Sequence, residues 1–150
     1  MALIQEPWYR ERCIRGLNIP GYTLFFVGGI DRPRACILAR NMTAWMLPGF
    51  SCRDLVAVLI NCNEDGAERR PVVCSTYLPY DSEDRPPPKE FQELVYYFES
   101  ETLYLVIGCN SSAHHVVWGS TYCNNRGKAL AEFLNSSNLE FVNWQWSHVL

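Results

Sequence analysis

The residues of this chain that could do chemistry fall in three places. The most informative is Leu103–Ser120, LYLVIGCNSSAHHVVWGS, where an apolar run passes straight into a polar stretch holding Asn110, Ser111, Ser112, His114 and His115. Sites are often built this way, because the strand fixes the position of the polar groups while the loop leaves them accessible. The second place is Glu6, closing the apolar run in Leu3-Ile4-Gln5-Glu6-Pro7. A carboxylate at a strand end projects into the crevice above a sheet, where ligand sites are favoured. The same pattern equally describes a surface glutamate before a proline, and the residues alone leave both readings open. The third is Asn124-Asn125-Arg126-Gly127. Either asparagine can cap the helix that follows, and Arg126 can reach a phosphate or a carboxylate. The pair His114-His115 does not make a zinc site, since adjacent loop side chains diverge and no cysteine or carboxylate stands at zinc spacing.

These residues need elements to position them. Short apolar, β-branched or aromatic runs recur at Ala2–Ile4, Tyr22–Val27, Ala35–Ala39, Leu55–Ile60, Val72–Leu78, Leu103–Ile107 and Leu139–Val142, and bounded by Gly, Pro, Asn or Asp they read as strands. Asn63–Arg70 is a polar turn joining two of them as a hairpin. Lys89–Ser100 follows three prolines and spaces Phe91, Leu94, Val95 and Phe98 as a helix does. Arg126–Asn135 places Leu130, Phe133 and Leu134 on one face, so a second helix is expected there. Tyr80–Pro88, acidic and proline-rich, reads as an exposed connector. Strands followed by helix, strand, helix and strand predict an α/β (α+β) layered arrangement, with no internal repeat and no interdomain linker.

Composition narrows the function. With 150 residues and 48% hydrophobic content the chain can bury one core. A net charge of −3 gives no global electrostatic footprint for non-specific DNA binding, so any nucleic-acid role must rest on local sites. The seven cysteines are odd in number and form no CxxC pair, so most are expected to be buried, reduced and small-hydrophobe-like. The start Met-Ala-Leu-Ile-Gln-Glu-Pro-Trp lacks the pattern of a signal peptide, and no apolar stretch approaches the roughly 20 residues of a membrane span. An intracellular protein with no membrane partner is the expectation.

Taken together, the motifs resemble the endonuclease domain of non-LTR retrotransposons, in the endonuclease/exonuclease/phosphatase superfamily. Gln5-Glu6-Pro7 matches that family's metal-binding Gln-Glu-Pro, and Ser75-Thr76-Tyr77-Leu78-Pro79 matches its Ser-x-Tyr-x-Pro strand. Gly108-Cys109-Asn110-Ser111-Ser112-Ala113-His114-His115-Val116-Val117-Trp118-Gly119-Ser120 matches its Gly-Cys-Asp-x-Asn-Ala-His-His-x-x-Trp-Gly-Ser loop, and Asn124-Asn125-Arg126-Gly127 its Asn-x-Arg-Gly. The resemblance runs from about Ala2 to Asn143. It implies a four-layer αββα sandwich, here partial, and a Mg²⁺ (or Mn²⁺) ion at Glu6 that polarises a DNA phosphate. It further implies catalytic positions at Tyr77, Asn110 and Ser112, substrate contacts from His114, Trp118, Ser120 and Arg126, and a nuclear location if the family role is kept.

The departures from the family pattern are specific. Asn110 stands where the family has the aspartate that orients or deprotonates water, and an amide cannot take that proton. Ser112 stands where it has a phosphate-binding asparagine, and a hydroxyl is shorter and lacks the amide donor. The family's opening strand and its closing strands, with a terminal Ser-Asp-His, are not matched, and Ser147-His148 is read as coincidence. The expectation is a partial domain over 1–143, a divergent tail over 144–150, an impaired endonuclease, and self-association through exposed sheet edges. The alternative is a non-catalytic retroelement remnant that binds DNA or protein at most. A phosphatase of the wider superfamily fits less well, because the His-His and Trp-Gly-Ser signature belongs to the retrotransposon branch.

Overall fold

The computed structural model describes residues 1–64, 67–82 and 85–142. In chain order its strands are β1 (Ala2–Gln5), β2 (Tyr9–Arg10), β3 (Cys13–Ile14), β4 (Tyr22–Phe25), β5 (Ala35–Arg40), β6 (Thr43–Met46), β7 (Leu55–Glu64), β8 (Ala67–Arg69), β9 (Val72–Tyr77) and β10 (Leu105–Asn110). Helix α1 (Lys89–Ser100) lies between β9 and β10, and α2 (Asn125–Ser136) follows β10. One sheet has the order β1-β5-β4, all antiparallel. The other has the order β10-β9-β7-β6, with β8 folded back on β7 and with β9 and β10 parallel. A separate two-stranded ribbon joins β2 and β3.

Two-residue alternation decides which side chains fill which layer. Along β7, Val56, Val58 and Ile60 pack with Ala35 and Ile37 between the two sheets, whereas Leu55 and Ala57 point to the opposite face. That opposite face is covered by Phe91, Leu94, Val95 and Phe98 of α1 and by Leu130 and Phe133 of α2. Sheet, sheet and helices therefore stack as three layers of the expected αββα sandwich, an α+β fold. Helix α1 starts at Pro88, whose carbonyl accepts from Phe91 N and Gln92 N, and Gln92 Nε2 donates to Pro87 O at 2.7 Å. No helix among the described residues is long and apolar enough to cross a membrane.

Several expectations change. Leu139–Val142 is not a strand. Its main chain is engaged elsewhere, Asn138 N donating to Glu99 Oε1 and Leu139 N to Ser137 Oγ, while Leu139 packs on the helix-side core. The cysteines are not mostly buried: all seven are free thiols, but only Cys36 and Cys74 are fully enclosed, and Cys13, Cys109 and Cys123 are exposed. Burial pushes the Cys36 thiol up to about 11. The connector is not exposed throughout, since Pro86 and Pro87 are buried. The Asn63–Arg70 hairpin is present with longer arms, Glu64 pairing with Ala67. Strand β6 and the β2–β3 ribbon were not anticipated, being too short to show a period. Trp144–Leu150, including Ser147-His148, lie outside the described residues.

Candidate active site

Register brings the chemical residues to one end of the sandwich. Asn110 is paired with Tyr77 where β10 and β9 end, and Gln5 is paired with Ala35 where β1 ends and β5 begins. Strand β7 runs opposite to β9, so Asp54, just before it, lies level with Tyr77 and its carbonyl accepts from Tyr77 N at 2.8 Å. The side chains then sort by face. Leu105 and Ile107 pack toward the helices, which turns Gly108 and Asn110 toward β1. By the same alternation Ser75 and Tyr77 face β1, and Ser75 Oγ donates to Ile4 O at 3.1 Å. Glu6, Tyr77 and Asn110 thus share one edge.

Glu6 sits at φ 52, in the left-handed region, which for a non-glycine residue costs on the order of 1 kcal/mol. It is held there by Glu6 N donating to Arg34 O at 2.8 Å and by its neighbour Gln5, whose Nε2 donates to Ser75 Oγ at 3.0 Å and Gly108 O at 3.3 Å. Strained backbone maintained by surrounding bonds is a recurrent property of functional positions. The Tyr77 hydroxyl donates to the Glu6 carboxylate. Desolvation, then the Glu6 charge and that hydrogen bond, raise the phenol above its usual range, with Arg34 opposing, so Tyr77 is a proton donor at neutral pH. Arg34 lies 5.1 Å from the Tyr77 ring centre and forms a two-bond pair with Asp54, at 2.5 and 2.6 Å. That pair raises the Arg34 guanidinium still further above its already high range, so its charge is permanent.

The loop after β10 is built by the residues that follow it. Asn124 Oδ1 accepts from Gly127 N at 2.7 Å, capping α2, and from His114 N at 3.0 Å, while Asn124 Nδ2 donates to Ser112 O at 3.2 Å. Arg126 donates to Leu78 O at 3.1 Å and twice to Ser111 O. Trp118 Nε1 donates to Ala113 O at 2.9 Å, and His114 stacks on Tyr122 at 4.5 Å. His115 Nδ1 accepts from Val117 N, and its carbonyl accepts from Ser120 N. Gly127 is required by contact: a Cβ there would stand 1.9 Å from His114 O. Ser112 lies at φ 48, a conformation that asparagine tolerates better than serine does.

The sequence-derived site residues therefore divide in two. Glu6, Tyr77 and Asn110 meet at the edge, with Ser112 two residues beyond Asn110. His114, Trp118, Ser120 and Arg126 meet in the loop behind them, where their hydrogen bonds go to main-chain atoms while His114 stacks on Tyr122 and Arg126 lies over the Tyr80 ring. Gln5, Arg34 and Asp54 were missed. Gln5 had a signal, as the residue before Glu6 in the quoted motif. Arg34 and Asp54 are 20 positions apart, and only the packing of β5 against β7 between the two sheets brings their charges together.

The donors at this edge suit a divalent cation only in a limited way. Asp54 is engaged by Arg34, Asn110 is neutral, and no cluster of three His, Cys, Asp or Glu exists among the described residues. One carboxylate, Glu6, with a neutral oxygen nearby fits a Mg²⁺-like ion whose remaining positions are filled by water and phosphate, and does not fit an all-protein cage.

The two packed sheets, with helices covering one of them, form an α+β sandwich, and Glu6, Tyr77 and Asn110 lie at the strand ends the sheets share. The sandwich matches the solved endonuclease domain of TRAS1, a telomere-specific non-LTR retrotransposon, with a TM-score of 0.69 at 22% identity, over 95% of this chain and 60% of that one. The chain thus spans about 60% of the length of that domain, and the likeness is one of fold. No curated protein sequence matches it. Residues 72–148, just over half of the chain, match the family described as endonuclease-reverse transcriptase, and the protein belongs to that family.

Proposed function

We propose that this chain is an endonuclease-type domain that hydrolyses phosphodiester bonds in target DNA with a divalent metal, at a rate lowered by Asn110 and Ser112. The observation that carries the reading is the meeting of Glu6, Tyr77 and Asn110 at one edge of the sandwich, on strands far apart in sequence. Glu6 would hold Mg²⁺ or Mn²⁺, with Asn110 as a neutral second donor. When bound, the ion supplies polarisation of the phosphate and stabilisation of the departing 3′ oxygen. The Tyr77 phenol, kept protonated, donates to a phosphate oxygen. Gln5 fixes the turn that presents Glu6, and the His114, Trp118, Ser120 and Arg126 loop sets the position of Ser112. At Asn110 the attacking water can be oriented but not deprotonated, which removes general-base assistance, typically worth about 10²–10⁴-fold in rate.

The test is plasmid nicking in Mg²⁺ or Mn²⁺. Asn110→Asp with Ser112→Asn is expected to nick faster than the natural sequence, and Glu6→Ala on that background to abolish nicking. If the restored double variant is inert, the reading fails.

A second reading, a non-catalytic remnant that binds DNA or protein, is favoured by the uncharged Asn110 and by the involvement of Arg126 with main-chain carbonyls. A nuclear location goes with the first reading, in which the family role on DNA is kept. Strand β10 ends its sheet among the described residues, with Val106 55% exposed, and concentration-dependent self-association through that edge is part of the proposal. A sharp monomeric peak in size-exclusion chromatography at high concentration would count against it.

A further inference from the structure

We propose that the β2–β3 ribbon and the turns beneath it form a ridge that grips the phosphate backbone of duplex DNA beside Glu6. It rests on the nuclease reading only for the choice of DNA as the polyanion. Pro7 leads directly from Glu6 into the ribbon, which is closed by Arg15 N donating to Trp8 O at 2.7 Å and tied down by Tyr9 Oη donating to Ile30 O at 3.5 Å. Beneath it, Arg53 Nε donates to Arg32 O at 3.3 Å, and Arg34 N to Arg53 O at 2.8 Å. Arg34 O in turn holds the backbone of Glu6, so a continuous chain of bonds joins these arginines to the proposed catalytic edge.

The charge on this ridge opposes that of the whole molecule. Arg10, Arg12, Arg15, Arg32, Arg34 and Arg53 face five carboxylates, Glu6, Glu11, Asp31, Asp54 and Asp81, in a chain of net charge −3. Glu11 alone is shared by Arg10 and Arg15, and Asp54 is taken by Arg34. Arg12, Arg32 and Arg53 are exposed and have no ion pair among the described residues. Arg12 and Arg32 both sit at positive φ, at 61° and 50°, at the tips of tight turns. A polyanion is attracted to this side and repelled by the remainder, which orients it over Glu6. Trp8, 66% exposed beside the arginines, adds a flat apolar surface for sugar or base contact, as basic and aromatic side chains do together in nucleic-acid sites.

The experiment is fluorescence anisotropy of a labelled DNA duplex in EDTA, over a series of salt concentrations. It compares the natural chain, Arg12→Ala/Arg32→Ala/Arg53→Ala, and a control with the same charge loss at the far end of the strands, Arg40→Ala/Arg69→Ala/Arg70→Ala. Each lost phosphate contact lowers the slope of log affinity against log salt by about 0.9, so the ridge variant is expected to lose about 2–3 from that slope and the control far less. Trp8→Phe is expected to remove most of the tryptophan quenching seen on binding. Equal slopes for the two triple variants, no binding by the natural chain, or tighter binding to single strands than to duplex would each overturn the proposal. Because no cleavage is measured, a chain that binds this way but never nicks upholds the ridge while the nuclease reading fails.

Discussion

Gly127→Ala sets two well-characterised effects against each other. Gly127 lies in the first turn of α2, where alanine in place of glycine ordinarily stabilises a helix by about 1 kcal/mol. The added Cβ, however, would meet His114 O at 1.9 Å and His114 C at 2.6 Å, both backbone atoms. Relief requires the loop to retreat by more than about 1 Å, given ordinary contact distances of roughly 3.5 Å. The retreat breaks the reciprocal bonds between Asn124 N and His114 O, at 2.9 Å, and between His114 N and Asn124 Oδ1, at 3.0 Å. Two such bonds contribute about 2 kcal/mol together, and overpacking adds about 1–3 kcal/mol. After the helix gain is subtracted, the net loss is about 2–4 kcal/mol, or a fall in Tm of roughly 5–15 °C at this chain length. Thermal unfolding followed by circular dichroism reads it directly. An unchanged or raised Tm would mean that the loop does not press on α2 as described. Gly108→Ala is the internal comparison, because its added Cβ meets side-chain rather than backbone atoms, Leu3 Cδ1 at 2.6 Å and Leu3 Cβ at 3.0 Å, and a smaller loss is expected.

Further outcomes follow from the same geometry. Asp54→Ala leaves Arg34, only 20% exposed, without its carboxylate; a loss of roughly 1–3 kcal/mol is expected in urea unfolding after allowance for solvent, and a loss below about 0.5 kcal/mol would contradict the pairing. Ser112→Asn places at φ 48 a residue that tolerates it better, so Tm should rise by the equivalent of about 0.5–1 kcal/mol, whereas a fall would show that the loop prefers serine. Phe91→Ala, in the core beneath α1, is expected to cost about 3–5 kcal/mol in chemical denaturation. Cys13 and Cys123 should react with a thiol reagent at mildly alkaline pH in the folded protein. Cys36, buried and raised to about 11, and Cys74 should react only on unfolding, as mass spectrometry of the labelled peptides would show.

The two helices were legible because their signals are local. Pro86–Pro88 starts α1, Phe91, Leu94, Val95 and Phe98 mark its buried face, and Asn124 marks the start of α2. The largely buried strands β5, β7 and β9 were legible from their apolar runs, Ala35–Ala39, Leu55–Ile60 and Val72–Cys74. Leu139–Val142 shows the limit of that signal: an apolar run becomes a strand only where a free edge receives it, and here Leu139 packs on the helix side instead.

Glu6, Tyr77, Asn110 and Ser112 could be named from the chain because each lies in a motif of consecutive residues, and that Asn110 carries an amide rather than a carboxylate is a matter of covalent structure alone. That these residues share one edge was decided by strand register, which carries no local sequence mark. The same holds for the Arg34–Asp54 pair at 2.5 Å, for Gln5 bridging β1 to β9 and β10, and for the contact that excludes any side chain at Gly127. Each depends on how two distant segments approach, and the free energy of that approach comes from the apolar faces buried between them rather than from the polar residues it brings together.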